Sequence, residues 1–112
     1  MLAQKNRLKQ RKDFALIKQQ GRGCYNELFK LKSRPNSLDQ SRFAVIISAK
    51  ISKKAVVRNR LKRQCVEIIR LNLEQIVIGR DVLIWPQTRA IGLAYKQLET
   101  RLLNLFKQAR LV

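Results

Sequence analysis

The chain has 112 residues, of which 25 are Lys or Arg and 7 are Asp or Glu, for a formal net charge of +18. That length suits one domain over residues 1–112, with a core of useful size; a hydrophobic fraction of 46%, with only 4 Gly and 2 Pro, excludes disordered, collagen-like and low-complexity classes. An isoelectric point near 11.2 points to a polyanionic partner, nucleic acid before an anionic membrane surface.

The opening MLAQKNRLKQRKDF is basic but lacks the apolar stretch of about 7–15 residues that a secretory signal needs. Asp13, read as an N-cap, starts a short helix that runs to Gln20 and stops at Gly21. Residues 24–32 alternate as a strand, with Tyr25, Glu27, Phe29 and Leu31 on one face and Leu28, Lys30 and Lys32 on the other. Arg34-Pro35-Asn36-Ser37 breaks the pattern as a loop. Phe43 to Ser48 is a more buried strand, expected to pair with 24–32 as an antiparallel hairpin. A long helix runs from about Lys54 to Leu73. At about 100° per residue, Val57, Leu61, Cys65, Ile68 and Asn72 share its core face, flanked by Ile69 and Leu71. Asn59, Lys62, Arg63 and Arg70 fall on the opposite side, with Arg60 at the border. Asp81 to Trp85 is a third clear strand closed by Pro86, Gln87 to Gly92 a loop, and Ala94 to Arg110 the last helix. This order predicts an α+β or α/β domain with a βαβ connection.

Charge is unevenly placed. Residues 1–22 carry seven basic side chains against Asp13, and residues 50–63 carry seven more with no acid, whereas residues 71–100 balance three against three. Arg58-Asn59-Arg60-Leu61-Lys62-Arg63 sets several phosphate donors on one helix face with no i,i+4 acidic partner within the segment, so neutralisation is expected from outside the chain. The chain has no His, which removes the commonest general base and the Ser-His and Cys-His nucleophile systems. No credible catalytic pair remains. Cys24 and Cys65 stand 41 residues apart and form no CxxC pair; a disulfide is not expected and a reduced, cytoplasmic setting is. Cys65 reads as core, and Trp85 beside Pro86 as packing at a strand end.

These residues meet a family. Ala55-Val56-Val57-Arg58-Asn59-Arg60-Leu61-Lys62-Arg63, preceded by Arg7-Leu8-Lys9, Asp13-Phe14 and Gly21, resembles the bacterial ribonuclease P protein subunit. Phe29-x-Leu31, Asp81 to Pro86, and Leu93-Ala94-Tyr95 to Leu98 extend the resemblance over about residues 7–107. It implies a four-stranded central sheet packed by three helices, with a left-handed βαβ crossover. It also implies a division of labour. Arg58, Asn59, Arg60, Lys62, Arg63, Lys53, Lys54, Arg70, Arg7 and Lys9 would hold the catalytic RNA. A cleft of Phe14, Phe29, Lys32 and Lys50 would hold the single-stranded 5′ leader of precursor tRNA. Mg²⁺ would be bound mainly by RNA and substrate, and no obligate protein partner is implied. The chain departs from the family pattern at Lys18 and Lys32, where aromatics are common, at Ala49-Lys50 in place of two lysines, and in the loop 51–54, which lacks glycine.

Other classes share the charge and size. A structural ribosomal-type protein or RNA chaperone would bind one folded RNA without altering substrate cleavage. A DNA-binding protein using 54–73 as a recognition helix would need a short helix-turn-helix before it, which is missing. A membrane-surface helix would need an apolar face already committed to the strands.

Overall fold

Asp81, Val82, Leu83 and Ile84 are successive residues and all buried, so their strand must be covered on both faces. The computed structural model, which describes residues 2–112, places it at the centre of a mixed sheet. The strands are β1 (Arg22–Tyr25), β2 (Phe29–Pro35), β3 (Arg42–Val45) and β4 (Arg80–Pro86), in spatial order β1-β2-β4-β3. The first two pairings are antiparallel, and β3 runs parallel to β4. Helices α1 (Arg11–Gln20), α2 (Ala55–Leu71) and α3 (Tyr95–Gln108) cover it.

The pleat sorts side chains to two faces. Phe29, Leu31, Phe43, Val45, Val82 and Ile84 join Leu61, Cys65, Ile68 and Ile69 of α2 and Leu98, Leu102, Leu105 and Phe106 of α3 in the main core. On the other face Leu83 packs with Ile17 of α1 and with Leu8, flanked by Phe14, Ala44, Ile46 and Trp85. Of the three helices α1 alone covers that face, so part of it stays open. Gly21 ends α1 with an ordinary φ of −70°; glycine is needed there because a Cβ would collide with the Ile17 carbonyl oxygen.

The structure carries the α+β class and the βαβ unit (β3, α2, β4), and it corrects four local expectations. Residues 24–32 form two strands, because the Asn26 Oδ1 accepts the N–H groups of Leu28 and Phe29, both at 2.9 Å, and turns the chain. That turn moves Tyr25 off the Phe29 face and opposite Lys30. The strand at 43–48 does not pair with β2, since β4 lies between them. Asp13 is no N-cap: α1 begins at Arg11 after Gln10, and Asp13 sits in its first turn. On α2, Leu71 is 57% exposed rather than flanking the core.

Candidate nucleic-acid interface

The basic side of α2 lies opposite its buried stripe. Asn59, Arg60, Lys62, Arg63 and Arg70 are exposed, as are Lys53 and Lys54 just before the helix. Among the described residues, no carboxylate pairs with Lys53, Lys54, Arg60, Lys62 or Arg63. Arg70 differs, because it holds Glu67 one turn back; their hydrogen bond raises the Arg70 pKa and lowers that of Glu67. Arg58 also differs: it is half-buried, and its Nη1 donates to the Ser52 carbonyl at 2.7 Å, pinning the loop that carries Lys53 and Lys54. Beside this stripe, Lys62, Arg63, Leu2, Arg7, Leu8 and Phe14 border a hollow of about 820 Å³ along the outer edge of β3. Arg7 lies there because Leu8 N donates to the Phe43 carbonyl at 2.9 Å and Arg7 bridges to Phe43; the Arg7 guanidinium itself donates to the Leu2 carbonyl. Lys9 is exposed beyond it.

A second groove, about 600 Å³, opens on the α1 face of the sheet. Lys18 borders it from α1, Lys30 and Lys32 from β2, Lys50 from the loop before α2, and Tyr25 and Trp85 from β1 and β4. Its lining contains four lysines and no carboxylate. The Lys32 Nζ donates to the Lys18 carbonyl at 2.7 Å, placing a cation at the C-terminus of α1 where the helix dipole is negative. The loop carrying Lys50 leads directly into Lys53 and Lys54, so the two basic regions are joined around one end of the sheet.

The other end of α1 is held by charge. The Arg42 Nε and Nη2 donate to the two carboxylate oxygens of Asp81 at 2.8 and 2.7 Å, and Asn36 Nδ2 donates to the same carboxylate at 2.9 Å. Arg42 also lies 3.6 Å from Asp13 on α1. The hydrogen bond to Asp81 is the main reason the Arg42 pKa is raised. Asp81 is buried while Arg42 stays partly exposed, so the pair ties β3 to β4 and Arg42 reaches on to Asp13 of α1.

Of the expected cleft residues, the structure brings Lys32 and Lys50 together. Phe14 lines the neighbouring hollow, half-buried against the Leu8–Ile17–Leu83 cluster, and the two hollows meet at Ile46. Phe29 is a correction: it is fully buried on the opposite face, under α2 and α3. Its alternation with Lys30 and Lys32 put it there, and truncating such a side chain costs about 3–5 kcal/mol of stability. The groove adds Lys18, Lys30, Tyr25 and Trp85, none of them assigned to the cleft from sequence. Trp85 is half-buried, packed on its cluster and lining the groove at once. For Lys30 the signal was the alternation itself; for Tyr25 it lay in Asn26, a turn former.

Fold and charge define a class: a small, strongly cationic α+β domain with a mixed four-stranded sheet and three helices. The family model described as Ribonuclease P matches residues 2–110, and the chain belongs to that family. It is 40% identical over 107 residues to the ribonuclease P protein component of Synechocystis, covering 95% of this chain and 86% of that one. Against the Thermotoga maritima component the identity is 35% over 108 residues, covering 93% and 92%. Two solved structures agree: the Thermotoga maritima RNase P protein at a TM-score of 0.84 and 35% identity, covering 91% of this chain and 96% of that one, and the Staphylococcus aureus RNase P protein at 0.87 and 25%, covering 95% and 96%. Members are the protein component of an endoribonuclease holoenzyme, working with the ribonuclease P RNA in tRNA 5′ maturation. That membership sets aside the ribosomal-type and chaperone alternatives.

Proposed function

We propose that the chain divides RNA recognition between its two basic regions. The stripe of Asn59, Arg60, Lys62 and Arg63, with Lys53 and Lys54, holds the ribonuclease P RNA by phosphate contacts. Arg58 supports it by fixing the preceding loop, and Arg7 and Lys9 extend it along the N-terminal segment. Arg70, already paired with Glu67, contributes less. The groove of Lys18, Lys32 and Lys50, with Phe14 beside it, takes the single-stranded 5′ leader of precursor tRNA. The observation that carries this reading is the run of cations on α2 that no carboxylate pairs among the described residues, on a helix packed against the sheet face opposite the one that bears the carboxylate-free lysine groove. A cationic groove with aromatic borders holds single strands with little regard for sequence, which suits a substrate whose leaders vary.

Among the described residues, no three carboxylate, thiol or imidazole groups come together. The ion is assigned to RNA and substrate, where it supplies the hydrolytic chemistry, and the protein's part is binding and positioning. Among the described residues, no helix is long and apolar enough to cross a membrane. As the partner of the ribonuclease P RNA, the protein is placed in the cytoplasm. The test is reconstitution with the cognate ribonuclease P RNA, following cleavage of precursor tRNA as Mg²⁺ is lowered. The protein should extend cleavage to Mg²⁺ levels at which the RNA alone fails. Identical Mg²⁺ dependence with and without protein would overturn the reading.

A further inference from the structure

Tyr25, Lys30 and Trp85 form one cross-strand row. Tyr25 is directly opposite Lys30, and Lys30 directly opposite Trp85, so all three side chains leave the sheet on the same face, the open one. Strands lie about 4.8 Å apart, which sets the two aromatics about 10 Å from each other with a lysine between them. Tyr25 is 76% exposed, so it contributes little to the core. The same groove holds Lys18, Lys32 and Lys50. Lys32 is tied to the end of α1, and Lys30 lies two residues further along β2, about 7 Å beyond the cover of that helix.

We propose that this row is a stacking subsite for two consecutive unpaired nucleotides of the leader, one base on Tyr25 and one on Trp85, with the phosphate between them over Lys30. The inference rests on the reading of the groove as the leader site and adds residues and register to it. A duplex hides its base faces, whereas a single strand can lay them on aromatic rings. Neither ring selects a base edge, so the subsite tolerates any sequence. It makes affinity depend on leader length, because the row is filled only when the leader reaches it.

The experiment uses the holoenzyme and precursor tRNAs whose leaders lengthen one nucleotide at a time. Tyr25→Ala should weaken binding by about 5- to 10-fold, the low end for loss of one stacked base, and only for leaders above one particular length. Affinity for mature tRNA should be unchanged. Tyr25→Phe should behave as the parent, because stacking needs the ring and not the hydroxyl. An abasic nucleotide at the responding leader position should weaken the parent and have no further effect on Tyr25→Ala. Trp85→Leu, which keeps an apolar side chain against Leu83, supplies the second arm and should show a length threshold one nucleotide away from that of Tyr25→Ala. A Tyr25→Ala penalty that is absent, or equal at all leader lengths, overturns the row. Lys32→Ala and Lys50→Ala, measured alongside, separate the two ideas. If they lower precursor affinity relative to mature tRNA while Tyr25→Ala does not, the groove reading stands and the row fails. If none of them does, both fail.

Discussion

Replacing Arg42 with Met should loosen the anchor that sets α1 on the sheet. The methionine keeps the apolar stem of the side chain but removes both hydrogen bonds to Asp81, at 2.8 and 2.7 Å, and the 3.6 Å ion pair with Asp13. The Asp81 side chain is only 2% exposed, so its carboxylate cannot turn to water and retains only Asn36 at 2.9 Å. Stranding one member of a buried pair costs about 3–5 kcal/mol, and the surviving Asn36 bond places this case near 3. In a domain of this size that lowers Tm by about 10–15 °C. Asp81→Asn in the same background should restore part of the loss, since the stranded charge is gone, so the double variant should be less destabilised than the sum of the singles. Urea denaturation of the four proteins of this cycle measures the coupling. A single Arg42→Met within about 0.5 kcal/mol of the parent would refute the argument, because it would mean the pair is solvated and worth no more than a surface salt bridge.

Three further outcomes follow from the same geometry. Binding to the ribonuclease P RNA should weaken steeply with salt: neutralising about 6–8 phosphates gives a slope of log K on log salt near −5 to −7, and a flat dependence would exclude phosphate contacts as the main attraction. Arg60→Ala and Arg63→Ala should each cost about 1–3 kcal/mol of that affinity with melting unchanged; a lowered melting temperature would mean that these side chains support the fold. Burial pushes the Cys65 thiol from 9.0 up to about 12. Above pH 9 the unfolded chain therefore loses this proton while the folded chain keeps it, and the Cys65 contribution to stability, whole below pH 9, falls by about 1.4 kcal/mol per pH unit. The stability difference between parent and Cys65→Ala should change by that amount between pH 9.5 and 10.5 (about 1.4 kcal/mol,), and a constant difference would contradict it.

Periodicity carried the long-range plan of this chain and local chemistry limited it. The α2 stripe was legible because burial on a helix follows angle, and Leu61, Cys65, Ile68 and Ile69 are all buried opposite Arg60, Lys62 and Arg63. The error at Leu71 falls at the helix end, where the chain turns away through Asn72. The sheet order was not legible, because alternation reports that a strand has two faces and not which strand lies beside it; only the tertiary path inserts β4 between β2 and β3. Phe29 and Tyr25 show how one missed turn propagates. Two strands read as one put Tyr25 on the face of Phe29, and the Asn26 turn reverses that relation. The resemblance put Phe29 and Lys32 in one cleft and could not sort them, because facing is a matter of pleat register. Asp13 and Arg42 lie 29 residues apart, so their pairing was beyond any local signal.

The division of labour between the two basic regions is tested most directly by one pair of measurements on two sets of variants in the reconstituted holoenzyme. The groove set is Lys18→Ala, Lys32→Ala and Lys50→Ala; the helix set is Arg60→Ala, Lys62→Ala and Arg63→Ala. For each, affinity for the ribonuclease P RNA is measured beside the ratio of precursor to mature tRNA affinity. The groove set should lower the ratio by about 5-fold or more, at about 1 kcal/mol per lost phosphate contact, while RNA affinity holds. The helix set should lower RNA affinity and, once the complex is saturated, leave the ratio alone. If both sets move both quantities together, the two regions form a single binding surface and the account of separate sites is wrong.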